Sequence, residues 1–350
     1  MKSLSDHLLE NVLDFDAANL NEAKANVKKE VKAWISENIN LAGKKRLGIT
    51  GPDGDGLLTI DADKVYVNEN SPITNGQFRW GKVDTFNVDD NTVITDLQGA
   101  PEECSRFSCQ NCSSLSSLEG APQNCYTFDC SNCTNLVSLE GAPEDCGHVN
   151  LTGCTKVRDF NGLGNAVDKI TCNGCTSIRS LAGLPHDLED FSAEGLNITS
   201  LRGCPSSIPG SFELRRCKNL TSLQGGPKSV GGNFRIIDCE KLGSLKGAPT
   251  DCNNFSCQNC TNLTSLEGVP SKCRYIDCMG CTNLATLGGM SDKFNGILSV
   301  IGCKNLTSLE GASIKCNSIR TFGSGLSTET IKQCESEGYN IDDNNYGWYQ

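Results

Sequence analysis

The sequence predicts a parallel β-solenoid, and three observations carry that reading. First, one phrase keeps returning: "CTNLVSLEGAP" from Cys133, "CTNLTSLEGVP" from Cys260 and "CKNLTSLEGAS" from Cys303. With its head as an anchor, copies start at Asn91, Cys112, Cys133, Cys154, Cys175, Gly195, Cys217, Cys239, Cys260, Cys281 and Cys303, spaced 20 to 22 residues apart. Second, the residue eight positions after the anchor is Gly in all eleven copies, Gly120, Gly141, Gly225 and Gly268 among them. Third, apolar residues recur at fixed offsets on both sides of the anchor. A fixed period of this length marks stacked turns, each too small to bury its own apolar face and each covered by the next.

The chain opens with a helical region, residues 1–45. In "SLSDHLLENVLD" (3–14), Leu4, Leu8, Leu9, Val12 and Leu13 share one face at helical spacing. A second helix is expected over 21–40, with Val27, Val31, Trp34, Ile35 and Ile39 as its apolar stripe and Lys24, Lys28, Lys29 and Lys32 opposite. That stripe is expected to cap the first turn, because an uncovered end leaves an unpaired strand edge. Residues 46–83 form a β-rich N-terminal cap: "GLLTIDADKVYV" and "QFRWGKVDTFNV" alternate as strands and make an irregular first turn. The loop "GPDGDG" (Gly51–Gly56) lacks the downstream bidentate Glu of a calcium loop and reads as a turn.

The array proper spans 84–315. Three positions after the anchor stands an aliphatic residue, such as Ile94, Leu115 or Leu306, and six after stands Leu, or Phe160 in one copy. "L-x-x-L-x-G-x-P" therefore reads as a short strand with both Leu inward, then a corner where Gly allows a conformation closed to other residues and Pro stops the strand. Before the anchor lies a second apolar pair at i, i+2: Phe107 and Cys109, Phe128 and Cys130, Val149 and Leu151, Phe212 and Leu214. That spacing predicts a second strand with the same face inward. Residues 316–350 close the chain with a short helix behind Ser327 as N-cap and a polar, aromatic tail.

These columns resemble leucine-rich repeats, most closely the bacterial BspA-like class, which also pairs an aromatic–cysteine segment with "C-x-x-L" and a proline corner. The shorter unit and the Gly-x-Pro corner depart from that class. The array also resembles "NLTSLEGAP" arrays of large tailed bacteriophages, and that resemblance implies a fold and a phage setting without implying an activity. The start, "MKSLSDHLLEN", resembles peptides that direct internal proteins into phage proheads, where cleavage follows Glu in a Leu/Ile-x-Glu context. Leu8-Leu9-Glu10 and Leu20-Asn21-Glu22-Ala23 both fit that context.

The 22 cysteines fall in columns, and five "C-x-x-C" pairs such as Cys109/Cys112 and Cys257/Cys260 have the spacing of zinc hairpins. The columns argue for packing instead. The first cysteine of the pair gives way to Val88, Leu151, Leu214, Ile236 and Val300 in other copies. A third column, Cys104, Cys125, Cys146, Cys252 and Cys273, alternates with Val167, Leu188 and Val230. A metal ligand does not exchange for Leu, whereas a buried small hydrophobe does. The anchor cysteines are accordingly structural, and no metal or cofactor is expected.

A net charge of −11 opposes general nucleic-acid binding. No run approaches the ~18 apolar residues of a membrane span, and no signal peptide is legible, so the host cytoplasm or a virion is the expected location. With three histidines, His7, His148 and His186, and no phosphate loop or nucleophile elbow, an enzyme is not expected. What the array offers is an outward surface. Five positions after the anchor stand Ser117, Ser138, Ser180, Ser200, Ser222, Ser244, Ser265 and Ser308, with Asp96 and Asp159. Seven after stand Glu119, Glu140, Glu267 and Glu310, with Arg202 and Lys246 mid-array. This face is the expected seat of a protein partner, a host factor or a virion component. The alternative is a structural or packaged virion protein attached through its N-terminal helices.

Overall fold

A computed structural model describes residues 17–42, 48–52 and 56–344. The helix expected over 3–14, the Leu8-Leu9-Glu10 motif and the middle of the "GPDGDG" loop lie outside the described residues. The chain is a parallel β-solenoid of about 14 turns, and it divides into two compact units, Met1–Thr155 with Gly162–Val167, and Lys156–Asn161 with Asp168–Gln350.

The first unit begins with helix α1 (Ala17–Asn38). Its apolar stripe is the expected one: Val31 and Ile35 are buried, Trp34 packs on Phe78 at 5.4 Å, and Lys24, Lys29 and Lys32 stay exposed. The helix ends earlier than expected. Asn38 turns its Nδ2 back to the Trp34 carbonyl at 2.8 Å, and Ile39–Ala42 becomes strand β1. The reason is an open strand edge: β1 and β2 (Gly48–Thr50) both pair antiparallel with β3 (Leu58–Val67), supplying the amides that edge lacks. From β3 the pairing is parallel through β4 (Phe78–Asn87), β5 (Glu103–Ser108), β6 (Asn124–Asp129) and β7 (Asp145–Asn150). A bulge lies between Ile60 and Ala62.

Strand β8 (Ala166–Thr171) is divided between the units after Val167, and the second unit continues with β9 (Asp190–Glu194), β10 (Ser207–Ile208), β11 (Phe212–Arg215), β12 (Ser229–Val230) and β13 (Asn233–Ile237). It continues with β14 (Asn254–Ser256), β15 (Tyr275–Asp277), β16 (Ile297–Ser299), β17 (Ser318–Arg320) and β18 (Ile341–Asp342). The main ladder runs β8-β9-β11-β13-β14-β15-β16-β17-β18, while β10 and β12 pair by themselves at a corner. Helix α2 (Thr328–Ser336) sits between the last two strands, and Ser327 caps it by accepting from the Thr330 amide at 3.1 Å. Parallel pairing thus extends beyond 84–315 in both directions, taking in β3 and β18.

One expectation is corrected. The laddered strands lie in the segment before the anchor, which splits in two where β10 and β12 precede β11 and β13, and "L-x-x-L-x-G-x-P" is not a strand. Its leucines are inward as expected, Leu115 and Leu118 both wholly buried. Its backbone folds on itself instead: the Leu115 amide donates to the Cys112 carbonyl at 3.1 Å and the Ala121 amide to the Leu118 carbonyl at 3.0 Å. Two such turns within ten residues leave no room for a strand, and only scattered bonds reach the neighbouring turn, such as Leu97 N–H to the Glu119 carbonyl at 2.8 Å.

The glycine column explains this tight path. Gly225 has φ +80°, and a β-carbon there would lie 2.7 Å from Arg202 Cα in the preceding turn. At Gly120 the same atom would meet the Gln98 backbone at 2.6 Å. Conformation and close approach both demand Gly. On the strand side, aromatic rings fill the core by stacking: Phe86, Phe107 and Phe128 in the first unit at 5.7 and 5.3 Å, and Phe191, Phe212, Phe234 and Phe255 in the second at 5.3 to 5.9 Å.

Candidate functional site

The cysteines are accounted for by the interior. The anchor thiol of each of several turns donates to a carbonyl about one turn back: Cys112 to Val88 and Cys133 to Cys109 at 3.0 Å, Cys154 to Cys130 at 3.1 Å, Cys281 to Cys257 at 3.0 Å, Cys303 to Cys278 at 3.2 Å. Asn91 does this for the earliest copy, its buried Nδ2 reaching the Asn68 and Ser71 carbonyls at 3.0 and 2.8 Å. The column therefore wants a small, buried donor, which a thiol supplies and Asn can replace. Cys175, Cys217, Cys239 and Cys260 occupy equally buried places. Burial pushes the Cys109 thiol well above its ordinary range, and it pushes Cys204 up to about 12. Such thiols are protonated at neutral pH and poor nucleophiles.

The outward serine column is tied down as well. Ser117, Ser138, Ser180, Ser222, Ser244 and Ser308 each accept, through Oγ, the amide two residues ahead at 3.0 to 3.2 Å. Asp96 and Asp159 use a carboxylate oxygen in the same way. This is the side-chain turn for which Ser and Asp are suited, and it explains why the column holds only short acceptors. Ser200 and Ser265 are half-buried beside them. The residues two further on, Glu119, Glu140, Arg202, Lys246, Glu267 and Glu310, are exposed. Gln98 donates to Glu119 at 2.9 Å, and Lys246 pairs with Glu267 at 2.9 Å. These columns thus line the coil side of their turns. The sheet lies on the strands before the anchors.

On the strand face, outward polar side chains mostly link one turn to the next. In the first unit Ser108 donates to Asp89 at 2.5 Å, while Gln110 and Asn150 both donate to Asp129 at 3.1 Å. In the second unit Arg235 pairs with Glu213 at 3.4 Å, and Arg216 bridges Glu194 and Asp238 at 2.6 and 3.7 Å. One residue departs from this pattern. Tyr126 on β6 leaves 73% of its surface in solvent. Strand register sets it between Ser105 and Gly147, and a β-carbon on Gly147 would sit 3.2 Å from the Tyr126 ring. The small neighbour leaves room for the ring to lie across β7. Arg106, Thr127 and His148 form the adjacent column, with Arg106 exposed. The surroundings are acidic: residues 56–155 hold 14 Asp and Glu against four Lys and Arg.

Sequence reading missed this site because it assigned the outward columns to the wrong segment. The signal was present: Tyr126 is a large aromatic in a column that otherwise holds Ser105 and Gly147. Of the histidines, His148 lies on β7, His186 is exposed in a turn, and His7 is outside the described residues. Among the described residues no group of three His, Cys, Asp or Glu is placed to hold a metal ion, and no helix is long and apolar enough to cross a membrane.

No protein-family model matches the chain, and no curated protein matches it. Among solved structures, a leucine-rich repeat protein from Bacteroides ovatus is similar over 87% of this chain and 100% of that one, at 10% identity and a TM-score of 0.31. A likeness of that size says nothing about shared function.

Proposed function

We propose that the chain is a non-enzymatic protein-interaction module that seats a protein partner on the strand face of its first unit. The exposure of Tyr126 carries the reading. A tyrosine ring with 73% of its surface open, on a rigid ladder, is the kind of preorganised amphipathic anchor on which interface energy concentrates. The acidic surroundings favour a partner with a basic surface and oppose nucleic acid. The serine column, held within its own turns, and the exposed charged column beside it form a polar border on the coil side. The likeness of the repeat to arrays of large tailed phages supports a phage-encoded protein whose partner is a host factor or a virion component.

The test is affinity capture from host lysate and from purified particles, using the full chain and its Tyr126→Ala variant. The expected outcome is a partner retained by the native chain and weakened by tenfold or more in the variant, the loss of a hot-spot side chain being about 2 kcal/mol or more. A partner held equally by both proteins would place the interface elsewhere.

A further inference from the structure

We propose that Cys125 and Cys146 form a modification site, a reversible disulfide made by hydrogen peroxide across neighbouring strands β6 and β7. The two residues face each other directly in the parallel register, and their sulfurs stand 3.5 Å apart, with the Cys125 thiol donating to Cys146 Sγ. In-register parallel strands lie ~4.8 Å apart, inside the ~4.4–6.8 Å Cα window that a disulfide spans, so closing the bond needs little backbone movement.

Of the two pairs whose sulfurs stand 3.5 Å apart, this one is the more accessible. Cys257 and Cys278 also approach to 3.5 Å, yet both are wholly buried. Cys125 keeps 9% of its surface in solvent, an opening that suits a molecule as small as peroxide, whereas Cys146 has none. The Cys125 thiolate attacks peroxide: an S–O bond forms, the O–O bond breaks, and hydroxide leaves to take up a proton as water. Cys146 sulfur then attacks the Cys125 sulfenic acid. The S–S bond forms, the S–O bond breaks, and the departing oxygen leaves as water with the Cys146 proton. Two thiols lose two electrons and one peroxide becomes two waters. Donation to Cys146 and burial raise the Cys125 thiol, while accepting that hydrogen bond lowers Cys146. The first step is therefore slow at neutral pH and gains rate only as the pH rises. The crosslink fastens together the two strands over which the Tyr126 ring lies, although the proposal does not depend on the binding role of that ring.

The experiment oxidises the folded full chain with peroxide, alkylates the remaining thiols and maps peptides without reduction. We expect two of the 22 thiols to be lost, a Cys125–Cys146 crosslinked peptide, and recovery of both thiols with dithiothreitol. In Cys146→Ser, Cys125 should instead accumulate as a sulfenic acid trapped by dimedone, which a passive packing role would not produce. Recovery of Cys125 and Cys146 as alkylated thiols would overturn the proposal. So would a Cys104–Cys125 crosslink, or oxidation of Cys257–Cys278 at the same rate in the folded chain.

Discussion

Gly225 and Ser222 sit three residues apart in one turn and answer to different constraints. Gly225 has no freedom: its φ is +80° and the Arg202 backbone occupies the space a β-carbon needs. Gly225→Val should cost at least the ~1–3 kcal/mol of a strained backbone conformation. Ser222→Val removes only the hydrogen bond to the Gln224 amide, a loss of about 0.5–1.5 kcal/mol. Urea unfolding of the two variants measures the difference, and a larger loss at Ser222 would show that the turn relaxes around a side chain at Gly225. The glycine column was fully legible in the sequence because steric exclusion repeats with the period. The serine column was legible as a column and misread in its role. A hydroxyl facing outward looks available until the amide two residues ahead is seen to occupy it.

At the scale of one turn, strand and coil segments carry similar apolar spacing, so sequence pattern alone could not say which of them holds the ladder. The anchor decides it physically. It lies where the chain leaves the strand, and its thiol ties that corner to the corner one turn back. Cys133 donates to the Cys109 carbonyl at 3.0 Å, whereas the Cys257 thiol meets other sulfurs, Cys278 at 3.5 Å and Cys281. Cys257→Val should therefore stay within the ~1.5 kcal/mol of a volume-conserving core exchange. Cys133→Val should cost about 1 kcal/mol more, one net hydrogen bond, and Cys133→Ser should recover part of it by restoring a donor. Chemical denaturation of the three variants compares them directly; equal losses in the two valine variants would remove the bonding role from the anchor column.

Across the whole molecule, the number of buried thiols ties stability to alkaline pH. Burial pushes Cys104 and Cys204 up to about 12 and Cys316 up to about 11, against an ordinary thiol value of 9.0. The unfolded chain sheds these protons near the ordinary value while the folded chain keeps them. The stabilisation is thus complete below about pH 9 and is lost progressively toward pH 12. The melting temperature should fall through that window, and Cys104→Val combined with Cys204→Val should flatten the fall. An unchanged slope in the double variant would assign the decline to lysines and tyrosines. The array and its helical ends could be read from periodicity and capping residues. The strand that follows α1 could not, because it exists only to satisfy an edge that a different part of the chain creates.

The registers Cys104↔Cys125 and Cys125↔Cys146 differ by one constant step of 21 residues, and this makes chain length an integer quantity. Excising Ser113–Cys133 joins Cys112 to Thr134 and restores the phrase "CTNLVSLEGAP" without a seam. The next turn, a translated copy of the one removed, takes over its place against the turn before. The shortened protein should therefore keep its far-ultraviolet spectrum and unfold cooperatively, with stability reduced by about one repeat's share. Excising only Ser113–Pro122, about half as much chain, leaves β5 and β6 too little chain to close a turn between them, so the ladder breaks at that pairing and the single cooperative unfolding transition should be lost. Comparing the two deletions by circular dichroism tests this, and a half-turn deletion that folds as well as the full one would refute it. The repeat is in this sense a frame, tolerant of whole copies gained or lost and intolerant of fractions.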